Sequence, residues 1–182
     1  MPFEYVRNYA NDLLAYTLSN LKLNIGSIKS AIWVHGTIVE AEFPERLVSV
    51  ERKGWGSIFT AKAGTTNWFH IPVTTPVILD GHRPELTKVF CLFHAGNESM
   101  LSRPKITSLH LYDGRNKIKS FDGLELDGDH GGAIDASNCW HISPPLTIHS
   151  GLGISVGVFF PSGPNQTYSL SFSTIGADFN NP

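Results

Sequence analysis

The chain has 182 residues, 41% of them hydrophobic and 16% charged, enough for one domain with a real core and too few for two comfortable ones. A formal net charge of −2 and a pI near 6.4 leave no basic surface with which to hold nucleic acid or acidic lipid. Seventeen Gly and eleven Pro, spread along the chain, predict many turns between short strands.

Residues 3–23 have a texture of their own. Phe3, Val6, Tyr9, Leu13, Leu14, Leu18 and Leu21 recur at spacings of three and four, with Arg7, Asn8, Asn11, Asp12 and Ser19 on the opposite side. That is the period of an amphipathic helix, and Gly26 is placed to end it at its C-terminal cap. The expected organisation is an N-terminal helical extension over residues 1–29 and a β-sandwich domain over residues 30–182. Such a helix either packs on the sheet as a lid or plug, or pairs with another subunit, so a homo-oligomer through it is one expectation. The first residues lack the unbroken apolar run of a signal peptide, and no stretch is apolar for long enough to cross a bilayer. The sequence therefore points to a cytoplasmic protein with no membrane partner.

From Ser30 the period shortens to that of strands. Residues 31–39, including Trp33-Val34-His35-Gly36, are rich in β-branched and aromatic side chains. Leu47-Val48-Ser49-Val50 follows, and Gly54-Trp55-Gly56 marks a turn or bulge before Ser57-Ile58-Phe59-Thr60. Asn67-Trp68-Phe69-His70-Ile71-Pro72-Val73 alternates cleanly, with Phe69, Ile71 and Val73 on one face and Trp68 and His70 on the other. Pro72 allows that strand only an edge position, a strand end or a bulge. Pro76 opens a second apolar run that Asp80-Gly81 closes with turn chemistry. Residues 86–94 form a strand apolar enough at its centre to be buried on both faces. Residues 105–112 alternate again, placing His110 and Tyr112 together, and strands are expected near Phe121, Cys139, Leu146, Gly153 and Tyr168.

About nine to eleven short strands at this turn spacing fit an antiparallel β-sandwich or jelly-roll-like domain. No βαβ alternation argues for a parallel sheet. Cys91 sits in Val89-Phe90-Cys91-Leu92-Phe93 and reads as a buried structural thiol; a bridge to Cys139 stays open, since spacing does not give their separation.

Trp33-Val34-His35-Gly36, Gly54-Trp55-Gly56, Asn67-Trp68-Phe69-His70-Ile71-Pro72, Tyr112-Asp113-Gly114 and Gly128-Asp129-His130 together resemble a family of small uncharacterised proteins. The likeness covers about residues 30–160. It implies a single compact domain and carries no activity, cofactor or catalytic residue.

The chemistry-bearing pattern is an aromatic–histidine pairing at period two. Trp33 with His35, Trp68 with His70, and His110 with Tyr112 each share a face of their own strand. If the three strands lie in one sheet, they form a wall of indole, phenol and imidazole suited to stacking on a ring-shaped ligand. The alternative is that these are ordinary sheet residues, each His paired to a carbonyl. His35, His70 and His110 could also ligate a transition metal, although no His-x-His pair seeds such a site. Asp127, Asp129 and Asp135, with Gly132 between, match the first, third, ninth and sixth positions of a calcium loop, but Gly131 and Asn138 replace the fifth and twelfth ligands. Calcium is thus the one cofactor to test, against a solvated turn loop. The functional expectation is a β-sandwich that binds a small molecule or carbohydrate in an aromatic- and His-lined pocket. The alternative is a cofactor-independent isomerase, cyclase or hydrolase using His acid–base chemistry.

Overall fold

The computed structural model describes residues 27–96, 102–163 and 167–180. The helix expected over residues 3–23, and any subunit contact through it, lie outside the described residues. Among the described residues, helical structure is confined to two 3-10 turns, Gly36–Ile38 and Pro44–Arg46. No helix there is long and apolar enough to cross a membrane.

The strands are β1 (Ser30–His35), β2 (Glu40–Ala41), β3 (Leu47–Lys53), β4 (Gly56–Lys62), β5 (Thr65–Val73), β6 (Glu85–Ala95), β7 (Lys105–Asp113), β8 (Asn116–Leu126), β9 (Gly128–Asp129), β10 (Cys139–Thr147), β11 (Leu152–Phe160) and β12 (Thr167–Asn180). They form two antiparallel sheets. The seven-stranded sheet runs β10-β6-β12-β4-β3, with β1 also against β12 and β9 also against β6. The five-stranded sheet runs β2-β5-β11-β7-β8. The two inner faces enclose one hydrophobic core, which makes the fold a β-sandwich.

Alternation decides which residues enter the core. Phe69, Ile71 and Val73 are buried, as are Leu109 and Leu111 of β7 and Ile154, Val156 and Val158 of β11. Phe69 bridges the sheets, its ring 4.7 Å from Phe59 and 5.4 Å from Phe172. Full burial of such a ring contributes about 1.5–3 kcal/mol. β6 lies between β10 and β12 and is buried on both faces, as its apolar centre requires.

Pro72 is accommodated because β5 pairs with β11 along its length, whereas β2 covers it only at His70 and Phe69. Past that point one side of β5 is an open edge, where a missing N–H costs nothing. The apolar run after Pro76 joins neither sheet. Leu79 and His82 exchange backbone hydrogen bonds of 2.8 and 2.9 Å around Asp80-Gly81. Both turn residues have positive φ, 50° and 79°, as a two-residue hairpin turn with the strand twist demands. Ile78 at 60% exposure faces solvent there.

β12 is long enough to hold two neighbours on one edge. Its first half pairs with β4 and its second half with β1, while β6 runs along the other side. The buried Asp178 pins the start of β1: Oδ1 accepts the Lys29 and Ser30 N–H groups at 2.8 Å each. Its Oδ2 accepts from Lys88 Nζ at 3.0 Å, and Lys88 also donates to the Ser27 carbonyl. A buried pair this fully bonded fixes where the chain enters the sheet.

Cys91 and Cys139 are both buried and free. Cys139 is paired in register with Phe90, so it shares that residue's face while Cys91 points the other way. Burial pushes both thiols up, Cys139 to about 11, which leaves them protonated and unreactive.

Candidate functional site on the outer face of the five-stranded sheet

With Phe69, Ile71 and Val73 turned inward, Trp68, His70 and Pro72 of β5 point out. β11 lies between β5 and β7. It sets Ser155 between His70 and His110, Gly157 between Trp68 and Ser108, and Gly153 between Pro72 and Tyr112. Trp68, His70, His110 and Tyr112 therefore share one surface, and the small residues of β11 form its floor.

Gly157 is what lets the indole lie there. A Cβ at this position would come within 3.0 Å of Trp68 Cζ3 and Cη2, so the six-membered ring covers the glycine. The ring then meets His110 at 4.7 Å between centroids, tilted by 41°. His70 bridges two partners: Nδ1 is 2.9 Å from Ser155 Oγ and Nε2 is 3.1 Å from Glu42 Oε2. His110 Nε2 lies 2.7 Å from Asp122 Oδ1 of β8. The bond from His110, helped by the Ser108 and Ser120 hydroxyls, holds the Asp122 carboxyl below the usual carboxylate range. Each imidazole is thus oriented by one carboxylate, while Ser155 is 7% exposed at the bottom of the strip.

Past Trp68 the face continues over the half-exposed Phe159 into a groove of about 590 Å³. Arg103 with Asp127 and Lys105 with Glu125 form ion pairs along its wall.

Trp33 and His35 are not part of this surface. β1 pairs with β12 in the other sheet, where Trp33 covers Gly176 and stacks on Phe90 at 5.0 Å. His35 Nδ1 lies 3.0 Å from Thr37 Oγ1. The wall expected from three strands is therefore built from two, because alternation fixes a side chain's face and not its strand's partner. The same separation prevents His35, His70 and His110 from meeting at a metal.

The three aspartates of the polar loop do not converge either. Asp127 pairs with Arg103 at 3.3 Å, Asp129 accepts the Gly131 N–H at 2.9 Å, and Asp135 accepts the Ser137 N–H at 2.7 Å. Among the described residues, no group of three or more His, Cys, Asp or Glu side chains is arranged to hold a metal ion. The Asp129 and Asp135 oxygens serve the loop's own backbone, as Asx turns do.

Ser155, Gly157, Glu42 and Asp122 belong to the site and are absent from the residues singled out in the sequence. Gly153-Ile154-Ser155-Val156-Gly157 does carry a signal, with small residues at every second position facing large apolar ones. Glu42 and Asp122 carry none, since each arrives from a neighbouring strand or turn.

A family model described as a family of unknown function (DUF6623) matches residues 28–181, and the chain belongs to that family. No curated protein matches the sequence. Solved structures to which it is similar include an exo-beta-1,3-galactanase from Phanerochaete chrysosporium with galactose, at 12% identity and a TM-score of 0.37. That match covers 83% of this chain and 30% of the galactanase, so the chain spans under a third of that protein's length. TmCBM61 in complex with beta-1,4-galactotriose is similar at 13% identity and a TM-score of 0.38, covering 86% of this chain and 92% of the other. Likenesses this distant carry no argument about the site.

Proposed function

We propose that this chain, as a member of a family whose function is not established, is a carbohydrate-binding β-sandwich whose ligand lies along the outer face of the five-stranded sheet. The observation that carries the reading is the Trp68 indole spread over Gly157 and edged by His110, within a strip that is otherwise polar. An indole face accepts the apolar face of a sugar ring. The ring's hydroxyls then meet His70, Ser155, His110 and the carboxylates behind them, groups that both donate and accept. None of these contacts requires a metal or cofactor. The strand orders β10-β6-β12-β4 and β5-β11-β7-β8 support reading the sandwich as a jelly roll.

One observation favours the enzymatic alternative. Glu42, His70 and Ser155 form a hydrogen-bonded chain of the kind that activates a hydroxyl. Ser155 sits mid-strand, however, with ladders to β5 on one side and β7 on the other. Backbone N–H groups beside it point into those ladders and not toward an oxyanion above Oγ. The binding reading is preferred on that ground.

Tryptophan fluorescence titrated with neutral trisaccharides tests the proposal. Cellotriose, xylotriose, galactotriose and maltotriose form the panel. At least one is expected to give a saturable change that Trp68→Ala abolishes. No change with any of them at millimolar concentration, or a change that survives in Trp68→Ala, overturns the reading. Hydrolysis of p-nitrophenyl acetate that Ser155→Ala eliminates would favour the alternative.

A further inference from the structure

The opposite face of the sandwich carries a second arrangement that the aromatic–histidine pattern does not include. In-register pairing across five strands of the seven-stranded sheet aligns Glu51 (β3), Ile58 (β4), Ser171 (β12), His94 (β6) and Asp129 (β9) in one row. Directly paired residues point to the same side, and Ile58 alternates with the inward-facing Phe59 and Ala61, so the row faces outward. Four strand spacings make it about 19 Å long.

Trp55 stands beside this row. It occupies the two-residue turn Gly54-Trp55 between β3 and β4 and is 51% exposed. Two adjoining grooves, of about 440 and 390 Å³, share Trp55, His94 and Ser171 among their walls. On the far side of the row, Thr60 Oγ1 and Ser169 Oγ lie 2.9 Å apart, a further pair of hydroxyls open to a ligand.

We infer that this face is a second carbohydrate site, in which a short chain of uncharged sugar rings runs across the strands with one ring stacked on Trp55. The charge balance selects the class. Glu51 is matched by Lys53 at 2.7 Å, and Asp129 accepts the Gly131 N–H and lies 3.6 Å from His94 Nδ1. Among the described residues no Lys or Arg lines either groove, and the nearby Lys53 is already paired with Glu51, so an anionic ligand gains little. Both carboxylates already have counter-partners, so a cation gains little. What lines the grooves is an indole face, a partly buried Ile side chain, hydroxyls, an imidazole and carboxylate acceptors. That set matches the apolar face and the hydroxyl rim of a neutral pyranose. The row is longer than a single ring, which favours an oligosaccharide. This assignment is independent of the Trp68 face, since it rests on different residues on the other sheet.

Isothermal titration calorimetry with the same four neutral trisaccharides, plus spermidine and a trigalacturonate as charged controls, separates the outcomes. Binding of at least one neutral trisaccharide is expected to weaken at least about tenfold in Trp55→Ala at this face. Ser171→Ala, which leaves the indole in place, is expected to weaken it less. Trp55 is half exposed, so the variant should melt near the parent temperature, and the melt is recorded alongside. Trp68→Ala leaves this component intact while removing the other, so failure of one site is distinguishable from failure of the other. No neutral trisaccharide bound, binding unaffected by Trp55→Ala, or Trp55-dependent binding of only spermidine or trigalacturonate each overturns the inference.

Discussion

Phe69 and His70 are chain neighbours that the fold assigns to opposite sides of β5, and truncating each should give very different results. Phe69 is fully buried, with its ring against Phe59 and Phe172. Replacing it with Ala removes that burial and leaves a cavity between the two sheets, a loss of about 3–5 kcal/mol. His70 has a side chain 46% exposed, and its pair with Glu42 is a surface contact of about 0–1 kcal/mol. Its bond to Ser155 matters more, because that hydroxyl is nearly buried and loses its partner. His70→Ala should therefore cost about 1 kcal/mol in all. For a domain of this size each kcal/mol shifts Tm by about 2–4 °C. Phe69→Ala should then melt about 6–20 °C below the parent, and His70→Ala no more than about 4 °C below. Urea unfolding of the same variants gives the free energies directly. If His70→Ala is as destabilising as Phe69→Ala, His70 is a core residue and the outer-face site is wrong.

Gly157→Ala adds a Cβ within 3.0 Å of the Trp68 ring and 3.3 Å of Ser108 Cβ. The indole must shift, so the near-UV circular dichroism of Trp68 should change and trisaccharide affinity should fall. Stability should move by no more than about 1 kcal/mol, since the gain of Ala over Gly in a strand offsets part of the crowding. Burial alone would raise the Asp113 carboxyl, but N–H bonds from His149, Ser150 and Gly151 outweigh it and hold it below the usual range. A group whose folded pKa is depressed stabilises the fold above its unfolded pKa and loses that contribution as pH falls through the folded value. Asp113→Asn should therefore be less stable than the parent at pH 7, with the difference shrinking as pH drops below about 3.9; an unchanged difference at low pH refutes this. Chelator-treated protein should keep its Tm when calcium is added to millimolar concentration, and a rise in Tm would show that the loop aspartates rearrange to bind the ion.

Much of the β5 architecture is legible in residues 67–73. Their alternation gives the core face and the outer face, and Pro72 requires an open edge that β2, pairing only at His70 and Phe69, leaves available. What alternation does not contain is partnership between strands. Trp33-Val34-His35 reads like Trp68-Phe69-His70, yet β1 joins β12 and β5 joins β11. That choice is made by contacts distant in sequence, such as Asp178 capturing the Lys29 and Ser30 N–H groups. The aspartate spacing in residues 127–135 matched a calcium loop, but spacing does not say which way each carboxylate turns. Here each is taken by a nearby backbone N–H or by Arg103. The middle-strand glycines do carry a signal for these surfaces. Gly157 under Trp68 and Gly176 under Trp33 show the same device on both sheets, with the indole lying across a neighbour that has no side chain. In the sequence Trp55 is part of a glycine-flanked turn, whereas its surroundings come from five strands that only the fold brings together.

The central claim, that the outer face of the five-stranded sheet holds a sugar ring, is tested most directly by the indole signals of isotope-labelled protein. Four tryptophans give four side-chain N–H signals, and the Trp68 signal is assigned by its loss in Trp68→Ala. On titration with the trisaccharide of highest affinity, this signal is expected to move in a saturable way, together with backbone amides of Ser155, Gly157 and His110. A Trp68 signal and a β11 backbone that stay fixed at saturating ligand would contradict it.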